Sequence, residues 1–325
     1  MSIDTVELQI ERIGAAGDGV ACWRGQPVYL PFTAAGDRVR AALGPRRGGG
    51  HQARIVELLA SGAGRSDPPC PHFGRCGGCA LQHLDRAVYA ETKQNGLRSA
   101  LERVAIDPDV VQPLRLVAAA RRRGRFGMVR PQDPRRPARI GFRERFRHEV
   151  LDLRQCLVME PPLLALAGGL RDLIPNLLPP GGAAEATLTR TDSGLDLLIE
   201  ADETAGLRAF EALAWLAAEH DLARIVWRSP GAETLVVERR PVRVICSGTV
   251  VPFPPGAFLQ ASEAAESILV EEVASAVGPR RPALDLFAGL GAFAWALAGA
   301  GAVHAVEGDA AAAAALAAAA RGVSG

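Results

Sequence analysis

Apolar and polar positions alternate in short runs near the start of the chain. Val6-Glu7-Leu8-Gln9-Ile10 alternates, and so do Asp37-Arg38-Val39-Arg40-Ala41-Ala42-Leu43 and Ala53-Arg54-Ile55-Val56-Glu57-Leu58. Pro27-Val28-Tyr29-Leu30-Pro31 is a short apolar strand, and glycines at 14–19 and 48–50 punctuate the runs. Strand side chains point alternately to opposite faces, so the pattern predicts several half-buried strands joined by glycine turns. Residues 1–62 therefore read as an OB-like β-barrel, an architecture often used to hold nucleic acid.

The period changes further on. Ser61 to Pro69 reads as a Gly/Ser/Pro linker. A helix is predicted from Asp85 to Arg103. Strands are expected at 138–143, 186–189, 195–199, 224–228 and 234–238, with an apolar helix at 205–220, which makes 63–251 a mixed α/β central domain. After Pro252 the order becomes regular. Ser262 caps a helix that runs to Val277 and carries acids in its first turns. Ala283 to Phe287 is predicted as a buried strand, and Ala288-Gly289-Leu290-Gly291 as a glycine turn into helix 292–300. A second strand ends at Glu307, and 309–320 is a second helix, its alanine run being strongly helix-forming. This β-α-β-α order is the opening of a doubly wound sheet, assigned to 252–325.

Charge sharpens the picture for the middle of the chain. The net charge is only +1, and Lys93 is the one lysine, yet eleven arginines and only two acids fall between Arg121 and Arg147. Guanidinium groups match phosphate geometry and stack on bases, so this stretch, which includes Arg121, Arg122, Arg123, Arg125 and Arg143, predicts a nucleic-acid surface. No apolar run of membrane-spanning length is present. The start, Met1-Ser2-Ile3-Asp4, lacks the basic and apolar run of a secretory signal. With thiols in place of a disulfide framework, a reducing cytoplasm is the expected compartment and a monomer the expected state.

Two groups of residues carry chemistry. Cys70, Cys76 and Cys79 form C-x5-C-x2-C around Gly77 and Gly78, and Cys156 follows in Arg154-Gln155-Cys156. Four closely placed thiolates suit a soft metal centre, either a [4Fe–4S] cluster or zinc. The second group is the strand–glycine turn–helix of 283–300 with Glu307 on the next strand tip, the spacing of a carboxylate that takes ribose hydroxyls. Ala294 stands where a third glycine would complete a pyrophosphate fingerprint. Asp285 before the turn suits a cationic sulfonium better than a pyrophosphate, so S-adenosylmethionine is preferred over a dinucleotide.

Taken together, these residues resemble the RNA uracil-C5 methyltransferases, collinearly and over nearly the whole chain. The barrel with Gly14-x-x-Gly17-x-Gly19 looks like the family's TRAM domain, and Cys70 through His83 like its cluster segment. Arg121-Arg122-Arg123-Gly124-Arg125 and Ile140-Gly141-Phe142-Arg143 are similar to its central domain. Phe258-Leu259-Gln260 and Asp285-Leu286-Phe287-Ala288-Gly289-Leu290-Gly291 look like its cofactor elements. The resemblance implies [4Fe–4S] rather than zinc on the four cysteines. It also implies S-adenosylmethionine held by Gln260, Phe287, Gly289, Gly291 and Glu307, and a flipped-out uridine of ribosomal RNA, with transfer RNA as the alternative. Ala292 and Ser262 depart from the family pattern, each standing where an Asn is usual.

In the family a cysteine adds to uracil C6 and a base removes the C5 proton. No matching residue occurs here, and both are expected beyond Gly325, which makes the last domain an incomplete Rossmann-like one. Cys22 and Cys246 are expected to be buried small hydrophobes rather than nucleophiles. The implied activity is RNA (uracil-5-)-methyl transfer, with doubt over the isolated chain. The alternative is a non-enzymatic RNA-binding module with a structural iron–sulfur cluster.

Overall fold

The computed structural model describes residues 5–118, 120–279 and 282–322. The chain forms two compact units, Met1–Leu116 with Glu144–Arg147, and Val117–Arg143 with His148–Gly325.

In the first unit the alternating runs become strands β1 (Thr5–Gln9), β2 (Arg12–Ile13), β3 (Gly19–Trp23), β4 (Gln26–Leu30), β5 (Arg38–Arg47) and β6 (Gly50–Ala60). They form one sheet in the order β1-β5-β6-β4-β3-β2, with β4 and β6 parallel and the other pairings antiparallel. Leu8, Ile10, Ala21, Val28, Leu30, Val39 and Ala41 supply its core. Cys22 departs from expectation. It follows buried Ala21 on β3, so the strand's alternation turns it outward and leaves it exposed.

The segment after the sheet is pinned rather than free. Asp37 is fully buried, and its carboxylate accepts from the Ala34 N–H at 2.7 Å, the Gly62 N–H at 2.8 Å and Arg65 at 2.6 Å. Ser66 and Asp85 complete the tie through backbone bonds to His83 and Gly64. Asp85 then caps helix α1 (Arg86–Glu102), accepting from the Val88 N–H at 2.8 Å.

The second unit is built on a second six-stranded sheet. Its strands are β7 (Arg123–Val129), β8 (Arg139–Gly141), β9 (Ala183–Thr191), β10 (Gly194–Ala201), β11 (Leu222–Ser229) and β12 (Ala232–Glu238), in the order β12-β11-β10-β9-β7-β8. Helices α2 (Pro161–Leu177) and α3 (Leu207–Glu219) pack on it, placing Leu163, Leu166, Leu170 and Ile174 against Phe126, Leu188, Leu213 and Leu216. The helix α2 was absent from the expected elements. Its buried residues nevertheless fall at helical spacing, and prolines occupy its first turn.

A hairpin follows, β13 (Arg243–Cys246) with β14 (Thr249–Pro252), then helix α4 (Glu263–Val277), β15 (Ala283–Leu286), α5 (Ala292–Ala298), β16 (Val303–Val306) and α6 (Ala310–Gly322). Ser262 caps α4 by accepting from the Ala265 N–H at 3.3 Å. Strands β15 and β16 pair in parallel. The alanine run lets α6 lie close to the hairpin, with Ala312, Ala315 and Ala319 against Val244, Val251 and Phe253. Strand β15 is not buried as the apolar run suggested. Leu284 is 61% and Leu286 56% exposed, because only one face of this two-stranded sheet is covered. Among the described residues no helix is long and apolar enough to cross a membrane.

Candidate functional site

The tips of β15 and β16 bring four of the expected cofactor residues together. Gly289 has φ +57°, and an added Cβ there would meet nothing within 4 Å, so the space over the turn is open to a ligand. Gly291 has φ +86°, and a Cβ would come within 2.6 Å of Leu316 and 2.7 Å of Trp295. A side chain at Gly291 is thus excluded by both backbone conformation and crowding. Phe287 sits at φ +61° with its ring 90% exposed. A bulky residue in the left-handed region is strained, and such strain is concentrated at ligand-binding positions.

Glu307 closes the group. Its carboxylate accepts from the Gly289 N–H at 2.6 Å and from the Asp309 N–H at 2.8 Å, tying the second strand tip to the glycine turn. The bonds from Asp309 and Gly289 hold its pKa below the usual carboxylate value, so it is ionised at neutral pH. Asp285 behaves in the opposite way. Burial raises its pKa, and its Oδ2 is buried without a hydrogen-bond partner among the described residues.

Gln260 lies on the segment before α4. Its carbonyl accepts from Arg122 Nε at 3.1 Å, and the cap of α4 is Ser262, which leaves the Gln260 amide without a capping task. Arg122 itself is 6% exposed. A second nitrogen donates to Glu266 on α4 at 2.8 Å, and its N–H donates to the Ala261 carbonyl. The structure thus places Arg122 inside the second unit as a clamp on 260–266, where sequence composition had grouped it with the arginines of a nucleic-acid surface.

The other arginines of that group lie nearer solvent. Arg121 is exposed and joined to Val158 and Glu160 by backbone bonds. Arg123 donates to the Gly256 carbonyl at 3.2 Å. Arg125 pairs with Glu185 at 3.4 Å and Glu200 at 3.2 Å, and Arg143 pairs with Glu185 at 2.6 Å. Arg125, Arg143, His148, Glu185, Glu200 and Arg228 line a cleft of about 530 Å³.

The cysteine loop belongs to the first unit and Cys156 to the second. Successive turns, Phe73 N–H to Cys70 O at 3.1 Å and Cys76 N–H to His72 O at 2.9 Å, coil the backbone between the first two thiols. The Gly78 N–H donates to Cys76 Sγ at 3.4 Å, a backbone-to-sulfur bond of the kind that stabilises a metal-bound thiolate. The donor set thus fits a soft metal centre in its chemistry. Among the described residues, however, no group of three or more His, Cys, Asp or Glu side chains is assembled at metal-binding range.

The remaining thiol, Cys246, is buried against Val244, Val251 and Phe253. Burial, with the Glu266 charge second, pushes it up to about 12, so it stays protonated and inert at neutral pH.

No family model matches the chain. Over its full length it is 36% identical to an RNA methyltransferase of Brucella suis that is itself uncharacterized, spanning 75% of that protein. It is 34% identical over 94% of its length to the 23S rRNA (uracil(1939)-C(5))-methyltransferase RlmD of Halomonas elongata, spanning 66% of that enzyme. The fold matches a crystal structure of the Pyrococcus abyssi tRNA (uracil-54, C5)-methyltransferase in complex with S-adenosyl-L-homocysteine. That match has a TM-score of 0.65 at 19% identity and covers 88% of this chain and 69% of the other. A glycine turn with an acid on the next strand tip is the arrangement by which Rossmann-like α/β units hold nucleotide-type cofactors. The chain belongs to the RNA uracil-C5 methyltransferase family.

Proposed function

We propose that the protein works in S-adenosylmethionine-dependent C5 methylation of uridine in RNA, with ribosomal RNA as the substrate and transfer RNA as the alternative. The observation that carries this reading is the Glu307 carboxylate, ionised and held 2.6 Å from the Gly289 N–H beside an open glycine turn. S-adenosylmethionine supplies an electrophilic methyl group on a sulfonium. Glu307 would take its ribose hydroxyls, Gly289 and Gly291 would allow its close approach, Gln260 would bind its methionine end, and Phe287 would cover it. Arg121, Arg123, Arg125 and Arg143 would contact the RNA backbone. A target uridine has to leave the base stack to expose C5 and C6.

In this reading residues 1–62 serve as a TRAM-like RNA-binding barrel, 63–251 as the cluster and RNA domain, and 252–325 as the cofactor domain. Cys70, Cys76, Cys79 and Cys156 are the proposed [4Fe–4S] ligands, with a structural role. The alternative reading is an RNA-binding module with a structural cluster. Cys246 is buried and protonated, and Cys22 sits on the barrel. No cysteine of this chain is therefore assigned as the uracil nucleophile.

The deciding experiment is calorimetric titration of the chain with S-adenosylhomocysteine. Glu307→Gln removes the charge, and loss of a charged hydrogen bond should weaken binding by about 10- to 100-fold. Cofactor binding by the wild type that the substitution leaves untouched would remove Glu307 from the site. Absence of wild-type binding alongside intact RNA binding would favour the module reading.

A further inference from the structure

A cleft on the barrel is left unexplained by this scheme. It has a volume of about 520 Å³ and is lined by, among others, Asp18, Tyr29, Phe32, Gln52, Arg54 and Phe146. That volume lies in the range of small-ligand sites, ~300–1,000 Å³.

Two features of its wall are unusual. Phe32 has φ +64° and Phe146 has φ +66°, so two bulky residues flanking one cleft both occupy the left-handed region. Their neighbours hold them there against the steric preference of an L residue. Burial does not compensate Phe146, whose side chain is 76% exposed. Between the rings lies Arg145. Its guanidinium carbon is 4.8 Å from the Phe32 centroid and 5.1 Å from that of Phe146. The side chain is fixed by Asp18 at 3.2 Å, and its N–H donates to the Arg75 carbonyl at 2.8 Å.

A strained, water-facing ring beside a clamped guanidinium is a stacking surface lacking one layer. The missing layer has to be flat, apolar on its faces and polar on its edge. The Tyr29 hydroxyl, the Gln52 amide and the Asp18 carboxylate offer edge partners. Arg54 on the wall supplies charge for a phosphate backbone, and Arg75 and Arg147, which share the single carboxylate of Glu144 at 2.6 and 3.9 Å and stay 71% and 69% exposed, add to it. Those cations favour a nucleotide over an apolar peptide side chain.

We propose that this cleft receives one unpaired nucleobase of the RNA, stacked on Phe146 and held against the Arg145–Phe32 pair. The inference rests on the RNA methyltransferase reading and adds a second RNA contact, distinct from the target uridine.

The test titrates the 325-residue chain with a 12-nucleotide single-stranded RNA carrying one 2-aminopurine, followed by fluorescence. Stacking should quench the 2-aminopurine on wild-type protein, and Phe146→Ala should weaken affinity by about 5- to 100-fold. Phe146→Tyr should restore both quenching and affinity. Because Phe146 is exposed, its truncation removes no core contact, and a urea melt of the same variant reports whether the first unit, to which Phe146 belongs, is intact. Phe146→Ala that binds the RNA as tightly as wild type, with cofactor binding intact, would overturn the cleft assignment and leave the methyltransferase reading standing. Wild-type protein that binds neither RNA nor S-adenosylhomocysteine would overturn both.

Discussion

Arg122→Ala separates the two roles that sequence and structure give this residue. In the structure Arg122 is nearly buried and paired with Glu266 at 2.8 Å, the two side chains being 7% and 13% exposed. It also donates to the Gln260 carbonyl at 3.1 Å. Removing one member of a buried pair strands the other charge, at a cost of about 3–5 kcal/mol. The slight exposure of Glu266 lets water reach it, which places the cost near the lower bound, about 3 kcal/mol. A domain of this size shifts by about 2–4 °C per kcal/mol, so the melting transition should fall by roughly 6–12 °C. Differential scanning calorimetry reads the shift, and an Arg122→Ala/Glu266→Ala cycle should return a coupling of about 0.5–3 kcal/mol. Arg122→Lys should recover only part of the loss, because an ammonium cannot reproduce the fork that reaches both partners. S-adenosylhomocysteine affinity should also drop, since Arg122 holds the main chain of Gln260. The salt dependence of RNA binding should not change. A melting temperature unmoved by Arg122→Ala, together with an RNA salt slope reduced by about 0.7, would refute the clamp and restore Arg122 to the RNA surface.

Two further outcomes are expected. His83 is buried, with Nε2 3.0 Å from the Thr33 carbonyl; burial is the main cause that lowers its pKa, and Asp37, Arg65 and Arg145 act on it with mixed sign. A histidine harder to protonate in the folded than in the unfolded state destabilises the fold in acid. The stability of the first unit should therefore be flat above the ordinary histidine value of about 6.5 and fall as the pH drops below it, and His83→Gln should flatten that slope in pH-dependent urea melts. Aerobic chelation or Cys79→Ser should remove bound iron and sulfide from protein purified without oxygen, with loss of first-unit stability. Full retention of stability, or zinc in place of iron on analysis, would reject the proposed cluster.

Much of the layout was legible as pattern. Ser262 marked a helix start because a short polar side chain there satisfies an otherwise orphaned N–H, and it does so in the structure; Asp85, where another helix was expected to begin, caps that helix in the same way. The glycine turn and Glu307 could be placed on strand tips because strand, turn and helix each leave a local signature. Helix α2 carried the same kind of signal at Leu163, Leu166, Leu170 and Ile174 and went unread amid strand-like neighbours. Arg122 and Cys22 went the other way. Composition made one a nucleic-acid candidate and the other a core residue; packing sets Arg122 against Glu266 and turns Cys22 outward.

Local chemistry is therefore what the chain determined by itself: period, caps, turn glycines, the cysteine spacing and the acid after the second strand. These depend on contacts a few residues apart, which covalent geometry already brings together. Tertiary structure decided which charges are spent internally and which face ligand. The Asp37 anchor reaches Gly62 and Arg65, Arg122 reaches Glu266 across 144 residues of chain, and Arg145 slots between Phe32 and Phe146. A guanidinium has the same pattern in sequence whether it holds RNA or a helix. Only the desolvation and the partners that the fold imposes distinguish the two.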